Sequence, residues 1–364
     1  MLDDRQLPAL PYRRRLQPAW LLGARDFSWR WRRYLIASLA CGLVLGLALL
    51  LSGIKAGFDN EIHRTLRAFG ASAWLVSTGS SGPFTAPAVF SSARVTQVSS
   101  LAGVRSASPV ALIAATAATP GLREINLIGV VPGGVGSPGG RAAALLASGQ
   151  AIVDASLGVG AGQRVTINGE QFRVGALTHG LTYFAGTPSV RLSLAQVQRL
   201  GFNGQALASA IITKGVPRQA PSGLTVMRNA QVANDLARPV AQAKSTITLI
   251  RSLLWVIAAG IIGAILYLTT LDRLADFAVL KAIGVATRSL FAALAVQAVA
   301  LSLVSALVGA GFCLAIAPAA GIPVEVPASS YITLALVSAA VASIASVLAV
   351  RRAVAVDPAA AFGG

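Results

Sequence analysis

The 364-residue chain is 55% hydrophobic and 12% charged, with a mean hydropathy of +0.69, which excludes an ordinary soluble protein and points to a membrane class. A net charge of +17 suggests contact with an anionic membrane surface or envelope polymers. Nucleic acid is not expected as a partner, because the basic residues lack aromatic interleaving.

Residues 1–33 carry eight Arg against three Asp and read as a basic segment on the cytoplasmic side. Tyr34–Ile54 follows without a charge, long enough to cross a hydrocarbon core, which takes roughly 20 helical residues. Its length and its position behind the basic segment argue against a cleavable signal. The first span is therefore 34–54.

Residues 55–246 form a long block of different character. Phe58, Ile62, Leu66 and Phe69 fall on one helical face, so the first helix is expected to continue outward as a stalk. Val232, Leu236, Val240, Ala243 and Ile247 form a matching face at the far end, with Pro239 expected to kink that helix or begin it anew. Between the stalks, "SAWLVST", "INLIGVV", "QAIVDASL" and "ASAIITK" read as strands. "VTINGEQFRV" carries an Asn-Gly hairpin signal. Ser193–Phe202 reads as a Ser-capped helix ended by its glycine. This is an α+β domain. Both cysteines, Cys41 and Cys313, lie in apolar runs, so the block must stand on its core without a disulfide.

Motifs with catalytic potential are weak. "GVGSPG", residues 134–139, fits the dinucleotide pattern, but Pro138 and the neighbouring glycines favour a plain loop. Ser52-x-x-Lys55 sits at a helix–water boundary without a Lys-Thr-Gly partner, and Lys55 reads as an interfacial anchor. His63 and His179 are far apart and lack ligand neighbours. Asp154 and Glu170 stand out from surface charges in no way. No P-loop sequence occurs. No catalytic, cofactor or metal residues are assigned.

The second span is 247–271, the third 290–318 and the fourth 331–350. A cytoplasmic segment, 272–289, separates the second from the third. A short link, 319–330, joins the last two, and a cytoplasmic tail, 351–364, ends the chain. Arg273, Lys281, Arg288 and Arg351-Arg352 place the 272–289 segment and both termini inside by the basic-loop rule, and residues 55–246 outside. Gly42-x-x-x-Gly46 and Ser305-x-x-x-Gly309 permit close helix approach, as on a dimer face, although such spacing is common by chance in spans rich in Ala and Gly. Gln297, polar within the third span, is expected in an interhelical hydrogen bond.

A loop joining two spans needs no pattern, yet 272–289 has one. As a helix it aligns Leu274, Phe277, Leu280 and Ile283 in an apolar ridge, with Arg273 and Asp276 able to pair beside it and Gly284 allowing a turn. Nearly balanced charge favours docking on a protein over lying in headgroups. Here "RLADFAVLKAIGVATR" resembles the signature of the FtsX-like/MacB-like ABC transporter permease family, matched at Arg273, Asp276, Phe277, Ala278, Val279, Leu280, Lys281, Ala282, Ile283 and Gly284. Asp276 stands where Glu is usual and Lys281 where Arg is common. "RRAVAVDPAAAF" is similar to the family's ending, without its frequent final Arg, and "GQAIVDASLGVGAGQRVTINGEQFRVGAL" and "VRLSLAQVQRL" resemble parts of its exported domain.

The resemblance implies four transmembrane α-helices plus an α+β extracytoplasmic domain inserted between the first and second, in a bacterial cell membrane. It implies a permease without its own nucleotide site, paired as a homodimer or with a related permease, among membrane lipids, on a separate cytoplasmic ABC ATPase. Arg273, Asp276, Phe277, Leu280, Lys281, Ile283 and Gly284 would form the coupling helix on that ATPase. ATP-driven motion would reach the exported domain for export or extraction of a lipid, lipoprotein, peptide or antibiotic. The alternatives are an FtsX-like regulator of a cell-wall hydrolase that exports nothing, and a tethered receptor or enzyme unrelated to ABC systems.

Overall fold

The computed structural model describes residues 31–119, 121–272, 287–320 and 324–354. They fall into two compact units, one of the chain up to Leu50 with Ile250–Ala317 and Ala328 onward, the other of Leu51–Leu249 and Pro318–Pro327.

The first unit is helical. It contains the beginning of α1 (Trp31–Phe69), the end of α5 (Asn229–Leu271), and α6 (Thr287–Ile316) with α7 (Ala328–Val354). Among the described residues three helices, α1, α5 and α6, are long and apolar enough to cross a membrane, and α7 adds a shorter apolar stretch, Ala328–Val341. Leu39, Leu43 and Leu47 on α1 and Leu253 and Val256 on α5 are exposed, an outward apolar surface that only a hydrocarbon medium favours. The two small-residue motifs meet each other inside the chain. A Cβ on Gly46 would lie 2.8 Å from the Gly309 carbonyl oxygen, and one on Gly42 would lie 2.6 Å from Val308 Cγ1. Helices approach this closely only where side chains are absent. Gln297 is buried at 4% exposure.

The second unit is a mixed α/β domain. Its strands are β1 (Ala73–Ser77), β2 (Phe90–Ser91), β3 (Ser106–Ala118), β4 (Leu122–Val130), β5 (Ala151–Asp154), β6 (Arg164–Ile167), β7 (Glu170–Thr178), β8 (Thr182–Tyr183), β9 (Thr187–Ser193), β10 (Leu207–Ala208), β11 (Ala210–Lys214) and β12 (Leu224–Arg228). Three short helices, α2 (Val95–Ser99), α3 (Arg141–Ala147) and α4 (Leu194–Phe202), lie between them. The large sheet runs β12-β1-β11-β3-β4-β9-β5-β7-β6, with β8 on β9, and β6 pairs back to β3. Strands β3, β4, β9, β5, β7 and β6 therefore close into a ring, which removes the exposed edges an open sheet would present. The β4–β9 and β5–β7 pairs are parallel and the others antiparallel.

Period-two alternation builds two cores from one sheet. Ala111, Ala115, Ile125, Leu127, Val153, Val165, Phe172, Val190 and Leu192 pack on one face. On the other, Val110, Leu112, Ile128, Val130 and Ile152 join Trp74 and Ile212, and Ile62 and Phe69 of α1 and Val232 and Leu236 of α5 cover them. Each fully buried side chain of this size stabilises by roughly 1.5–3 kcal/mol. The hairpin β6–β7 turns at Asn168 (φ 47°) and Gly169 (φ 87°), both left-handed as a two-residue type I′ loop requires.

Two local expectations need correcting. Helix α4 does begin at Ser193, whose N–H donates to Gln196 Oε1 at 3.0 Å, but it does not end at Gly201. The left-handed residue that stops it is Asn203 (φ 50°), and Gly201 lies inside the helix because Ile113 Cδ1 would sit 2.3 Å from any Cβ there. Of the two outcomes expected at Pro239, a kink or a new helix, the second does not occur, since α5 runs through it as one element. The missing proline N–H costs the Asp235 carbonyl its helical partner without breaking the run.

Candidate force-transmission site

Each long helix of the domain carries one acidic residue inside its apolar face. On α1, Glu61 shares the buried face with Phe58, Ile62, Thr65 and Phe69, and on α5 Asp235 shares it with Val232, Leu236 and Val240. Glu61 is 4% exposed and Asp235 1%. A carboxylate is buried this deeply only if donors surround it.

Glu61 holds the 182–186 loop. Its Oε1 accepts from Thr182 Oγ1 at 2.5 Å and from the Gly186 N–H at 2.8 Å, while Thr65 Oγ1 donates to the Thr182 carbonyl at 3.1 Å. Phe184 (φ 60°), Ala185 (φ 63°) and Gly186 (φ 90°) are consecutively left-handed. Two of these are not glycine, a strained arrangement that persists only where surroundings over-determine it, and successive amides of this kind converge on an anion. Asn126 of β4 braces the loop from the sheet, donating to the carbonyls of Tyr183 at 3.1 Å and Thr187 at 3.3 Å. Burial pushes the Glu61 carboxyl above its ordinary value, outweighing the donors Thr182, Gly186 and Ala185 and the nearby Arg64 charge, which pull it down.

Asp235 holds the segment after β1. It accepts from the Phe84 N–H at 2.9 Å, the Thr85 N–H at 3.4 Å and the Thr85 hydroxyl. Gly82 leaves room for the carboxylate, since a Cβ there would lie 2.1 Å from Asp235 Cγ. The two fastenings are joined by aromatic contacts, edge-on from Phe69 to Trp74 (5.0 Å), tilted from Trp74 to Phe84 (5.6 Å), and edge-on again from Phe84 to Tyr183 (5.3 Å) and Tyr183 to Phe184 (4.9 Å). Asn229, first residue of α5, accepts from Trp74 Nε1 at 3.0 Å and donates to the Ala71 carbonyl at 3.0 Å. It ties the entry of the domain to its exit.

Below this level the stalks also bind one another. Lys244 pairs with Asp59, and Lys55 Nζ lies 3.4 Å from Thr248 Oγ1. Glu325, in the link before α7, pairs with Arg64 at 2.5 Å and accepts from Asn60 Nδ2 at 2.8 Å. Its own N–H donates to the Gly53 carbonyl at 3.1 Å.

The residues expected to contact an ATPase, Arg273, Asp276, Phe277, Leu280, Lys281, Ile283 and Gly284, lie outside the described residues. "GVGSPG" is a loop. Asp154 is not an ordinary surface charge. At 1% exposure it accepts from the Ser156 N–H and hydroxyl and from the Leu181 N–H at 2.7 Å. Glu170 pairs instead with Arg199 at 3.0 Å on the surface, so the two carboxylates do not form a pair. Glu61 and Asp235 were missed in the sequence, although a charge within a regular apolar face was the available signal.

The FtsX-like permease C-terminal family matches residues 249–358. An uncharacterized ABC transporter permease of Mycobacterium tuberculosis is 38% identical over 344 residues, 93% of this chain and 98% of the relative. A second from the same organism is 34% identical over 345 residues, again 93% and 98%. Among solved structures, the extracellular domain of the ABC-type transporter YknZ from Gram-positive bacteria aligns at 16% identity, TM-score 0.31, over 43% of this chain and 98% of that one. The periplasmic region of MacB from Actinobacillus actinomycetemcomitans aligns at 12%, TM-score 0.35, over 48% and 97%. Likeness along the full length to the mycobacterial proteins defines the class as ABC transporter permease. Within that class the chain belongs to the FtsX-like family.

Proposed function

We propose that this permease is a mechanical transmitter, driven by a separate cytoplasmic ABC ATPase and acting through a domain outside the cell. The observation that carries the reading is the build of α1 and α5. Each continues without interruption from an apolar stretch into the mixed domain, and each is fastened there by a buried carboxylate that grips a loop. A helix so anchored moves the domain when its other end moves. In this reading α7 supplies a fourth crossing, both termini are cytoplasmic, and residues 55–246 are extracytoplasmic. Residues 272–289 form the coupling helix on the ATPase, with Phe277, Leu280 and Ile283 as its apolar contact, Arg273, Asp276 and Lys281 as its charged flank and Gly284 as its turn. A second permease copy or a related chain completes the assembly. The cargo class is a lipid, lipoprotein, peptide or antibiotic, exported or extracted.

The test is co-purification with the ATPase from the host membrane. Changing Phe277 and Leu280 together to Asp should abolish it, because two charges would have to be buried without partners. Undiminished recovery of the ATPase with that variant would remove the assigned interface.

A further inference from the structure

Arg191 is the anomaly of the domain. It lies on β9 between Val190 and Leu192, which face one core, so its side chain belongs to the opposite face. There its strand partners are Ile128 and Ile152. It is 4% exposed, and its guanidinium stands 5.9 Å from the Phe69 ring and donates once, weakly, to the Ala68 carbonyl at 3.4 Å. Nε has no partner. Among the described residues no carboxylate pairs with it. Buried charges are normally matched by an opposite charge, and desolvation alone lowers this guanidinium to about 10. Ser189, two residues along the same strand face, likewise has a buried hydroxyl without a partner.

Arg191 lines an open cavity of about 490 Å3 between the end of α1 and the loop after β7, with Arg64, Arg67, Thr178, His179 and Leu181. The neighbouring carboxylates are all engaged: Glu61 by Thr182 and Gly186, Asp154 by Ser156 and Leu181, Glu325 by Arg64 and Asn60. Arg67 has no carboxylate partner among the described residues either, and only its Nε is used, donating to the His63 carbonyl at 3.3 Å. With Arg64 paired to Glu325, Arg191 and Arg67 remain as the cationic donors of the cavity without a carboxylate partner among the described residues.

We propose that this cavity binds the phosphate group of a small ester or of a lipid headgroup, held by Arg191 from beneath and by Arg67 and His179 at the mouth. Arginine forks suit phosphate oxygens, which accept several charge-assisted hydrogen bonds at once. The space exceeds that of a bare ion and admits the glycerol or sugar carried on it. Leu181 and Ala68 give that part an apolar wall. The site is independent of the ATPase interface and stands or falls separately from it.

The experiment is calorimetric titration of the full chain in an uncharged detergent with three probes: inorganic phosphate, glycerol 1-phosphate and dihexanoyl phosphatidylglycerol. Wild type should bind at least one below about 10 mM, and Arg67→Gln and Arg191→Met should each weaken it by about tenfold or more. Preference for the lipid identifies a headgroup site and preference for either soluble phosphate a soluble-ester site; both support the proposal. Absence of binding by all three probes overturns it, as does equal affinity of the variants and wild type. If Arg191→Met does not fold, the solvent-accessible Arg67→Gln decides alone.

Discussion

Replacing Asp235 by Ala removes the acceptor that holds the segment after β1 to α5. Two of its bonds are strong, those to the Phe84 N–H at 2.9 Å and to the Thr85 hydroxyl, whereas the 3.4 Å contact to the Thr85 N–H adds little. Hydrogen bonds to a charged acceptor contribute about 1.5–3 kcal/mol each, so their gross worth is about 3–6 kcal/mol. The relief of burying a carboxylate at 1% exposure offsets part of this, leaving a net loss of about 2–4 kcal/mol. At about 1.4 kcal/mol per tenfold, the segment should open roughly 30 to 700 times more often. Asp235→Asn retains a neutral acceptor and should lose about half as much free energy. Hydrogen exchange on the full chain in detergent reads this directly. Peptides covering 82–88 should exchange faster while those from β3 and β4 do not change. Exchange at 82–88 within about threefold of wild type would refute the reasoning, and so would equal acceleration across the whole sheet, because the effect would then be global destabilisation. Gly82→Ala attacks the same joint from the other side, by steric conflict with the carboxylate, and should give the same local pattern.

Glu61 has a raised pKa through burial, so between the ordinary value of 4.5 and its raised value the folded protein holds a proton that the unfolded chain has lost. Its contribution to stability is greatest below 4.5 and is lost as pH rises through the raised value; Glu61→Gln should flatten that dependence of the thermal midpoint, and parallel pH profiles for both proteins would contradict it. Gly46→Val drives a side chain into the Gly309 backbone and should cost about 1–3 kcal/mol by overpacking, read as a lower thermal midpoint in detergent, whereas Gly260→Ala, with nothing within 4 Å, should be neutral or mildly stabilising; equal effects of the two would undo the close-packing argument. The Asp59–Lys244 pair is half in solvent, with side chains 45% and 23% exposed, so a double-mutant cycle should return no more than about 1 kcal/mol. A larger coupling would mean that the stalk contact is stronger than its exposure allows.

Much of the architecture was legible because local pattern and final environment agree. Phe58, Ile62 and Phe69 recur at helical spacing and end in the core, and Asn168-Gly169 encodes its own turn. Strand β3 was not legible, although it pairs with β11, β4 and β6. Its residues "SASPVALIAATAA" are rich in alanine and include Pro109, so β-propensity does not mark it, although Pro120-Gly121 follows its end. The helix end at Asn203 escaped for a different reason: Gly201 is a glycine for packing against Ile113, not for its dihedral freedom. Sequence shows that a glycine is present and not which of its two uses applies.

The sequence by itself determined the apolar helices, the mixed domain between them and the patterned segment at 272–289, because hydrophobic length, periodicity and turn chemistry act over a few neighbouring residues. Only the tertiary structure decided that Glu61, Asp154, Asp235 and Arg191 are buried, that Gly42 and Gly46 face Val308 and Gly309, and that β6 returns to β3. Those outcomes depend on contacts between residues distant in the chain, and a charged side chain carries no local mark of whether donors, a counter-charge or water will meet it.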